Sequence, residues 1–223
     1  MPFSGTRDGT AVGLVARATL LALQRMGIKT STRKVPYSRL YKWIHSGQLD
    51  VAVSVLKSPE RAKQAHYSAP MAVEYTIVLV RKGDTFPFDQ PDDLRNHRIG
   101  AQLGFLYPGI DHMNLPLVRE RDYFTSIPKL VDGRFDGTLV GSVTGLYDAQ
   151  KLGLLDRVEA LPNASEVIPL GAAFSVNAFQ SEDVMAFDDL ISNLQKGAEW
   201  RRLIDESGAA PHLRDWPLIR QQR

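Results

Sequence analysis

The stretch that most limits what this chain can fold into runs from Ser46 to Pro70, SGQLDVAVSVLKSPERAKQAHYSAP. Val51 to Leu56 is an apolar run broken only by Ser54. Such a run reads as a strand buried on both faces, and so as part of a parallel sheet covered by helices. Ser58 and Pro59 then supply a capping hydroxyl and a proline at the first helical position, where its missing N–H costs nothing. Arg61 therefore falls in the first turn of a short helix, beyond the carboxyl end of a central strand, where open α/β sheets place their ligands.

The rest of the chain repeats this alternation. Val12 to Met26 is apolar around most of a helical circumference and is stopped by Gly27. Ile28 to Val35 alternates polar with apolar residues and predicts an edge strand, and a helix follows over Arg39 to His45, stopped by Gly47. Helix and strand in turn predict an α/β fold. Tyr75 to Arg81 has the strongest β propensity in the chain, and residues 84 to 97, punctuated by Pro87, Pro91 and the Asp92-Asp93 pair, mark a break.

A second alternating series begins at Arg98-Ile99-Gly100-Ala101. It predicts a helix over Pro108 to Met113, a strand over Leu115 to Arg119, a helix over Phe124 to Val131, a strand over Phe135 to Val140 and a helix over Ser142 to Lys151. A strand over Ile168 to Ser175 and amphipathic helices over Asp183 to Leu194 and Ala198 to Glu206 complete the pattern. The tail from Pro211 to Arg223, with Trp216 and Pro217, reads as a wrapping or fraying end.

Charge and composition narrow the function classes. The 27 basic residues are scattered and nearly balanced by 25 acidic ones, which argues against a nucleic-acid surface and for a small ligand. The absence of Cys excludes disulfides, thiolate nucleophiles and Cys-ligated metals. His45, His66, His97, His112 and His212 have neither metal-ligand spacing nor a partnered Ser or Asp motif, so neither a metal nor a cofactor is expected. No apolar run has the length of a membrane span, and the N-terminus lacks the basic and apolar regions of a signal peptide. Met1-Pro2-Phe3-Ser4-Gly5 reads as the middle of a loop, so a leader and a first strand are expected upstream of Met1.

Taken in order, a series of short motifs resembles the type II periplasmic solute-binding proteins, the extracellular family 3 of amino-acid ABC transporters. They are Pro2-Phe3-Ser4, Val12-Gly13-Leu14, Ser46-Gly47-Gln48-Leu49-Asp50, Ser58-Pro59-Glu60-Arg61-Ala62, Tyr67-Ser68-Ala69-Pro70, Arg98-Ile99-Gly100-Ala101-Gln102-Leu103-Gly104 and Asp132-Gly133-Arg134-Phe135-Asp136-Gly137. The resemblance covers essentially the whole chain. It implies a two-lobed clamshell, each lobe a mostly parallel sheet flanked by helices. Lobe 1 comprises residues 1–80 and 171–223, and lobe 2 residues 81–170. Ligand is then held between the lobes by hinge closure. The implied partner is an ABC permease in the membrane, the chain acting as a periplasmic monomer.

The same resemblance assigns roles to particular residues. Arg61 matches the arginine that holds the ligand's α-carboxylate, a task suited to a bidentate guanidinium; the residues alone leave open a solvated Arg paired to Glu60 or Asp50. Ser54 matches a polar pocket position, with a buried Ser bonded to backbone as the alternative. Tyr37 falls where an aromatic or apolar side chain meets the ligand, or else packs in the core. Arg39 reads as an exposed first-turn residue. Glu74 could meet a cationic group, or be a solvated turn carboxylate. Gln102, Gly104 and Phe105 match a strand-to-helix turn whose backbone N–H groups help to bind carboxylate.

Two departures bear on the ligand. Gly104-Phe105 stands where the family commonly has Gly-Thr, and Gly141-Ser142 stands where amino-acid binders carry an Asp that receives the α-ammonium. A buried ammonium without that carboxylate is poorly compensated. The expected ligand is therefore anionic or aromatic, held by Arg61 with Tyr37 and Phe105 as flat surfaces and Ser142 beside the altered position. A sensory domain of the same fold is the alternative function. A lyase or dehydratase is a further one, for which Glu74 is the only acid or base to name.

Overall fold

The structure, a computed structural model, describes residues 2–208. The predicted tail, with Trp216 and Pro217, and His212 lie outside the described residues. The elements run β1 (Gly5–Arg7), β2 (Thr10–Val12), α1 (Leu14–Arg25), α2 (Tyr37–His45), β3 (Val51–Val55), α3 (Pro59–Ala62), β4 (Ala65–Tyr67), β5 (Ala72–Arg81) and β6 (Ile99–Gln102). There follow α4 (Pro108–Asp111), β7 (Val118–Glu120), α5 (Tyr123–Val131), β8 (Gly137–Gly141), α6 (Thr144–Lys151), β9 (Val158–Ser175), α7 (Ser181–Gln195) and α8 (Ala198–Ser207). The chain divides into two compact units, one holding residues up to Val73 and from Pro169 to the end of α8, the other Glu74–Ile168.

In the first unit β3 and β4 both pair antiparallel with the last part of β9, in registers Val51↔Phe174 and Ala65↔Ser175. The α/β class holds, but the parallel direction expected for Val51 to Leu56 does not. A continuous apolar run reports burial and says nothing of direction; here the neighbour is the returning β9, which runs the opposite way. Val51, Val53 and Ser54 are also only partly buried, while Ala52 and Val55 join Ile44, Ala65 and Ala173 in a small core under α2. The helix α1 packs on α7 and α8, tied by Arg25 to Glu199 at 2.7 Å and by an Arg17–Glu206 ion pair.

One further expectation fails in this unit. Ile28 to Val35 is not a strand: residues 29 to 34 are exposed, and no described strand pairs with the segment, so its alternation has no face to bury. Residues 2–4, within the stretch read as loop, carry no strand, and the β1–β2 hairpin that begins at Gly5 was not predicted. Asp8 and Gly9 turn it with φ of 49° and 75°, and Asp-Gly is the residue pair that such a two-residue turn favours.

The second unit has a mixed sheet in which β6 is parallel to both β7 and β8, while β8 is antiparallel to β5 in register Thr76↔Gly141. Its core gathers Ile77, Leu79, Ile127, Leu130, Phe135 and Val140 under α5 and α6. Strand β9 starts ten residues before the predicted Ile168, because Pro162 and the polar residues Asn163 and Ser165 interrupt the apolar pattern without ending the extended chain.

Candidate functional site

In the first unit the candidates converge on Arg61. Ser58 caps α3 by accepting from the Arg61 backbone N–H at 3.3 Å, so the cap that begins the helix also sets the Arg61 side chain on its way. The guanidinium lies over the ring of Tyr41, 3.3 Å from its centroid, and Nη1 donates to the Tyr41 hydroxyl and to the Leu56 carbonyl at 3.1 Å. Neither Glu60 nor Asp50 pairs with it among the described residues. Tyr37 stands one helical turn before Tyr41, with hydroxyls 3.0 Å apart and rings edge to face at 5.8 Å. Arg39 is exposed.

Burial raises the pKa of the Tyr37 and Tyr41 hydroxyls and pushes that of Tyr67 up to about 12, so all three remain neutral donors. His45 is pushed down by burial and by the charge of Arg61, and so stays neutral. Among the described residues, three buried polar atoms of this unit have no hydrogen-bond partner: Ser54 Oγ, Tyr67 Oη and His45 Nε2. Ser54 is also left-handed, with φ of 57°, at an irregularity of the β3–β9 ladder between Val53 and Val55. That backbone costs on the order of 1–3 kcal/mol in a residue other than glycine, and such strain clusters at ligand sites. Sequence reading missed Tyr41, Tyr67 and His45. The four-residue spacing of Tyr37, Tyr41 and His45 on one helix was the available signal.

In the second unit the candidates fall at two turns that follow the carboxyl ends of the parallel neighbours β6 and β8. At the first, the Gln102 backbone N–H donates to the Tyr107 hydroxyl at 3.0 Å, and Gly104 takes φ of 79°. Phe105 is 8% exposed and packs its ring on Tyr107 at 5.0 Å. At the second, Ser142 is buried and accepts from the Tyr75 N–H at 3.1 Å, tying β8 to β5.

Glu74 belongs to this second turn, and the solvated reading of it is corrected. It is 3% exposed, and its Oε2 accepts from the Thr144 N–H at 3.1 Å and from Thr144 Oγ1 at 2.9 Å, at the start of α6. Burial pushes its pKa up to about 7 against these bonds, which lower it. Asp148, 6% exposed on α6, is likewise pushed up to about 7 by burial. Thr144 and Asp148 were not legible as partners, since each lies at least seventy residues from Glu74 in the chain.

Each arrangement by itself can hold and orient a polar group: in the first unit a guanidinium with neutral hydroxyls, in the second a buried carboxyl. Among the described residues no group of three or more His, Cys, Asp or Glu side chains is placed to hold a metal ion.

The family model described as bacterial extracellular solute-binding proteins, family 3, matches residues 1–208. The L-cystine-binding protein TcyJ of Escherichia coli strain K12 is 25% identical over 204 residues, which are 89% of this chain and 75% of that protein. Two solved structures share the fold with a TM-score of 0.77. One is a histidine kinase sensor domain similar to periplasmic binding proteins, 21% identical, covering 91% of this chain and 89% of its own. The other is an ancestral arginine-binding protein bound to arginine, 18% identical and covering 92% of each chain.

Proposed function

The chain belongs to the bacterial extracellular solute-binding proteins, family 3, and on that premise we propose that it is a periplasmic, monomeric binding protein that presents a small polar ligand to the permease of an ABC transporter. The observation that carries this reading is the setting of Arg61. Its guanidinium is oriented by Tyr41 and Leu56, and the charge of Arg61 is felt by Tyr67, whose buried hydroxyl, like that of Ser54 in the same unit, has no hydrogen-bond partner among the described residues. A ligand carboxylate is the group that such donors suit, because charge-assisted bonds to a guanidinium are strong and a buried hydroxyl left unmatched is costly. The relatives that bind L-cystine and arginine support an amino-acid-like molecule. Catalysis forms no part of this reading, the family being one of binding proteins.

The test is a thermal-shift screen of amino acids, organic acids and aromatic carboxylates. A ligand at a hundred times its Kd stabilises the folded chain by roughly 2.7 kcal/mol. The shift is expected for at least one compound carrying a carboxylate, and is expected to vanish in Arg61→Ala. A shift that survives Arg61→Ala would sink the assignment of Arg61. A second reading, ligand sensing for a signalling protein, is favoured by the likeness to the histidine kinase sensor domain. Fusion of the gene to a transmembrane and kinase segment would decide for sensing, and a neighbouring permease and ATPase for transport.

A further inference from the structure

The near balance of 27 basic and 25 acidic residues conceals a segregation of charge within the first unit. From Gly9 to Leu49 the chain contains no Asp or Glu. Two cations of that run, Arg17 and Arg25, are paired with Glu206 and Glu199 on α8. The others, Lys29, Arg33, Lys34, Arg39 and Lys42, are exposed, and none of them forms an ion pair among the described residues. Gathered charges of one sign repel one another and oppose folding, so stability does not account for them.

The fold brings this run together on the outside of α2. Leu40, Tyr41 and Ile44 turn one side of that helix to the small core. Helical spacing then sets Arg39 and Lys42, three residues apart, on the opposite side, with Trp43 at its edge. Arg33 returns to the same helix, its guanidinium 4.3 Å from the centre of the Trp43 ring. That contact holds the exposed segment of residues 29–34 at α2, so loop and helix form one basic surface.

These cations stand on an outer helix face and an exposed segment, an arrangement that recognises density of negative charge and not the shape of one molecule. Trp43 is half-buried among them, and an indole beside cations suits the depth of lipid headgroups. The family is one of extracellular proteins, for which the extended anionic surface within reach is a bilayer and not a nucleic acid. We propose that the outer face of α2 and the segment before it dock reversibly on the phosphate headgroups of an anionic membrane. The proposal rests on the family and not on the role of Arg61, so it holds for a transport protein and for a sensor alike.

The experiment is co-sedimentation of the full chain with vesicles of phosphatidylglycerol and phosphatidylcholine, and with vesicles of phosphatidylcholine alone. At ~0.1 M salt, where the Debye length is about 10 Å, binding is expected to the anionic vesicles only. It is expected to be lost at ~1 M salt, where that length falls to about 3 Å. One cation near an anionic surface raises partition roughly fivefold, so Arg39→Gln combined with Lys42→Gln is expected to lower it about 25-fold. Both side chains are exposed, and a far-UV spectrum and thermal midpoint matched to wild type verify that the variant is folded. Arg121→Gln, which removes an exposed cation of the second unit, is expected to leave partition unchanged. Equal binding to both kinds of vesicle, or undiminished binding in the folded double variant, overturns the proposal. So does a wild-type chain that binds neither vesicle, or that binds a double-stranded oligonucleotide and not the anionic vesicles.

Discussion

Replacing Glu74 by Gln should change how stability depends on pH. In the folded chain burial raises the Glu74 pKa from the ordinary 4.5 to about 7, so the fold holds this proton more tightly than the unfolded chain does. The sign follows from linkage: the contribution is fully present below the unfolded value, declines as pH rises between the two values, and is lost above the folded one. At about 1.4 kcal/mol per pKa unit, the full effect is roughly 3 kcal/mol, most of it falling between about pH 5 and about pH 8. Asp148 is raised by burial in the same direction and faces Glu74, so the wild-type decline should be steeper than the share of Glu74 alone. Glutamine has no proton to lose and can keep the Thr144 bonds. Urea denaturation of both proteins at the two pH values should therefore show the variant gaining on wild type by roughly 2–3 kcal/mol at the higher pH. A stability difference that stays flat across that window would refute the reasoning, because it would mean that Glu74 is as ionised folded as unfolded.

Ser54→Gly should relax the left-handed backbone and raise stability by up to about 1 kcal/mol, while removing a hydroxyl and weakening any ligand found by calorimetry; a clear loss of stability would show that the φ of 57° is not strained. Tyr41→Phe should cost about 1–2 kcal/mol in urea denaturation, since its hydroxyl accepts from Arg61 and meets that of Tyr37, and should also lower affinity by loosening the guanidinium. A Tyr41→Phe protein of wild-type affinity would argue that Arg61 is positioned by Ser58 and Leu56 alone. Ser58→Ala should cost about 1 kcal/mol through loss of the α3 cap, read in the same denaturation experiment.

Much of the fold was legible because its signals are local. Ser58 and Pro59 start α3 as their chemistry requires, and Gly27, in a left-handed φ of 77°, follows the end of α1. The Tyr75 to Arg81 run lies within β5, and the helices from α5 to α8 begin and end within two residues of their predicted bounds. Where reading failed, the missing information was a partner. Alternation over Ile28 to Val35 satisfied a strand pattern, but a strand exists only against a neighbour. The Asp8-Gly9 turn and the Tyr37, Tyr41 and His45 spacing were readable signals that went unused.

The amino-acid sequence by itself determined the α/β alternation, the helix ends and the placing of Arg61 in the first turn of α3, because these depend on residues within a few positions of one another. Only the tertiary structure decided strand direction around β3 and the surroundings of each charge. Glu74 and Thr144 are seventy positions apart, yet their contact converts a turn carboxylate into a buried, half-compensated acid. Gly141, read from sequence as a lost acid, is the position whose missing side chain leaves room for the Glu74 carboxyl. Desolvation and close approach are set by the whole packing around a group, and no local pattern encodes them.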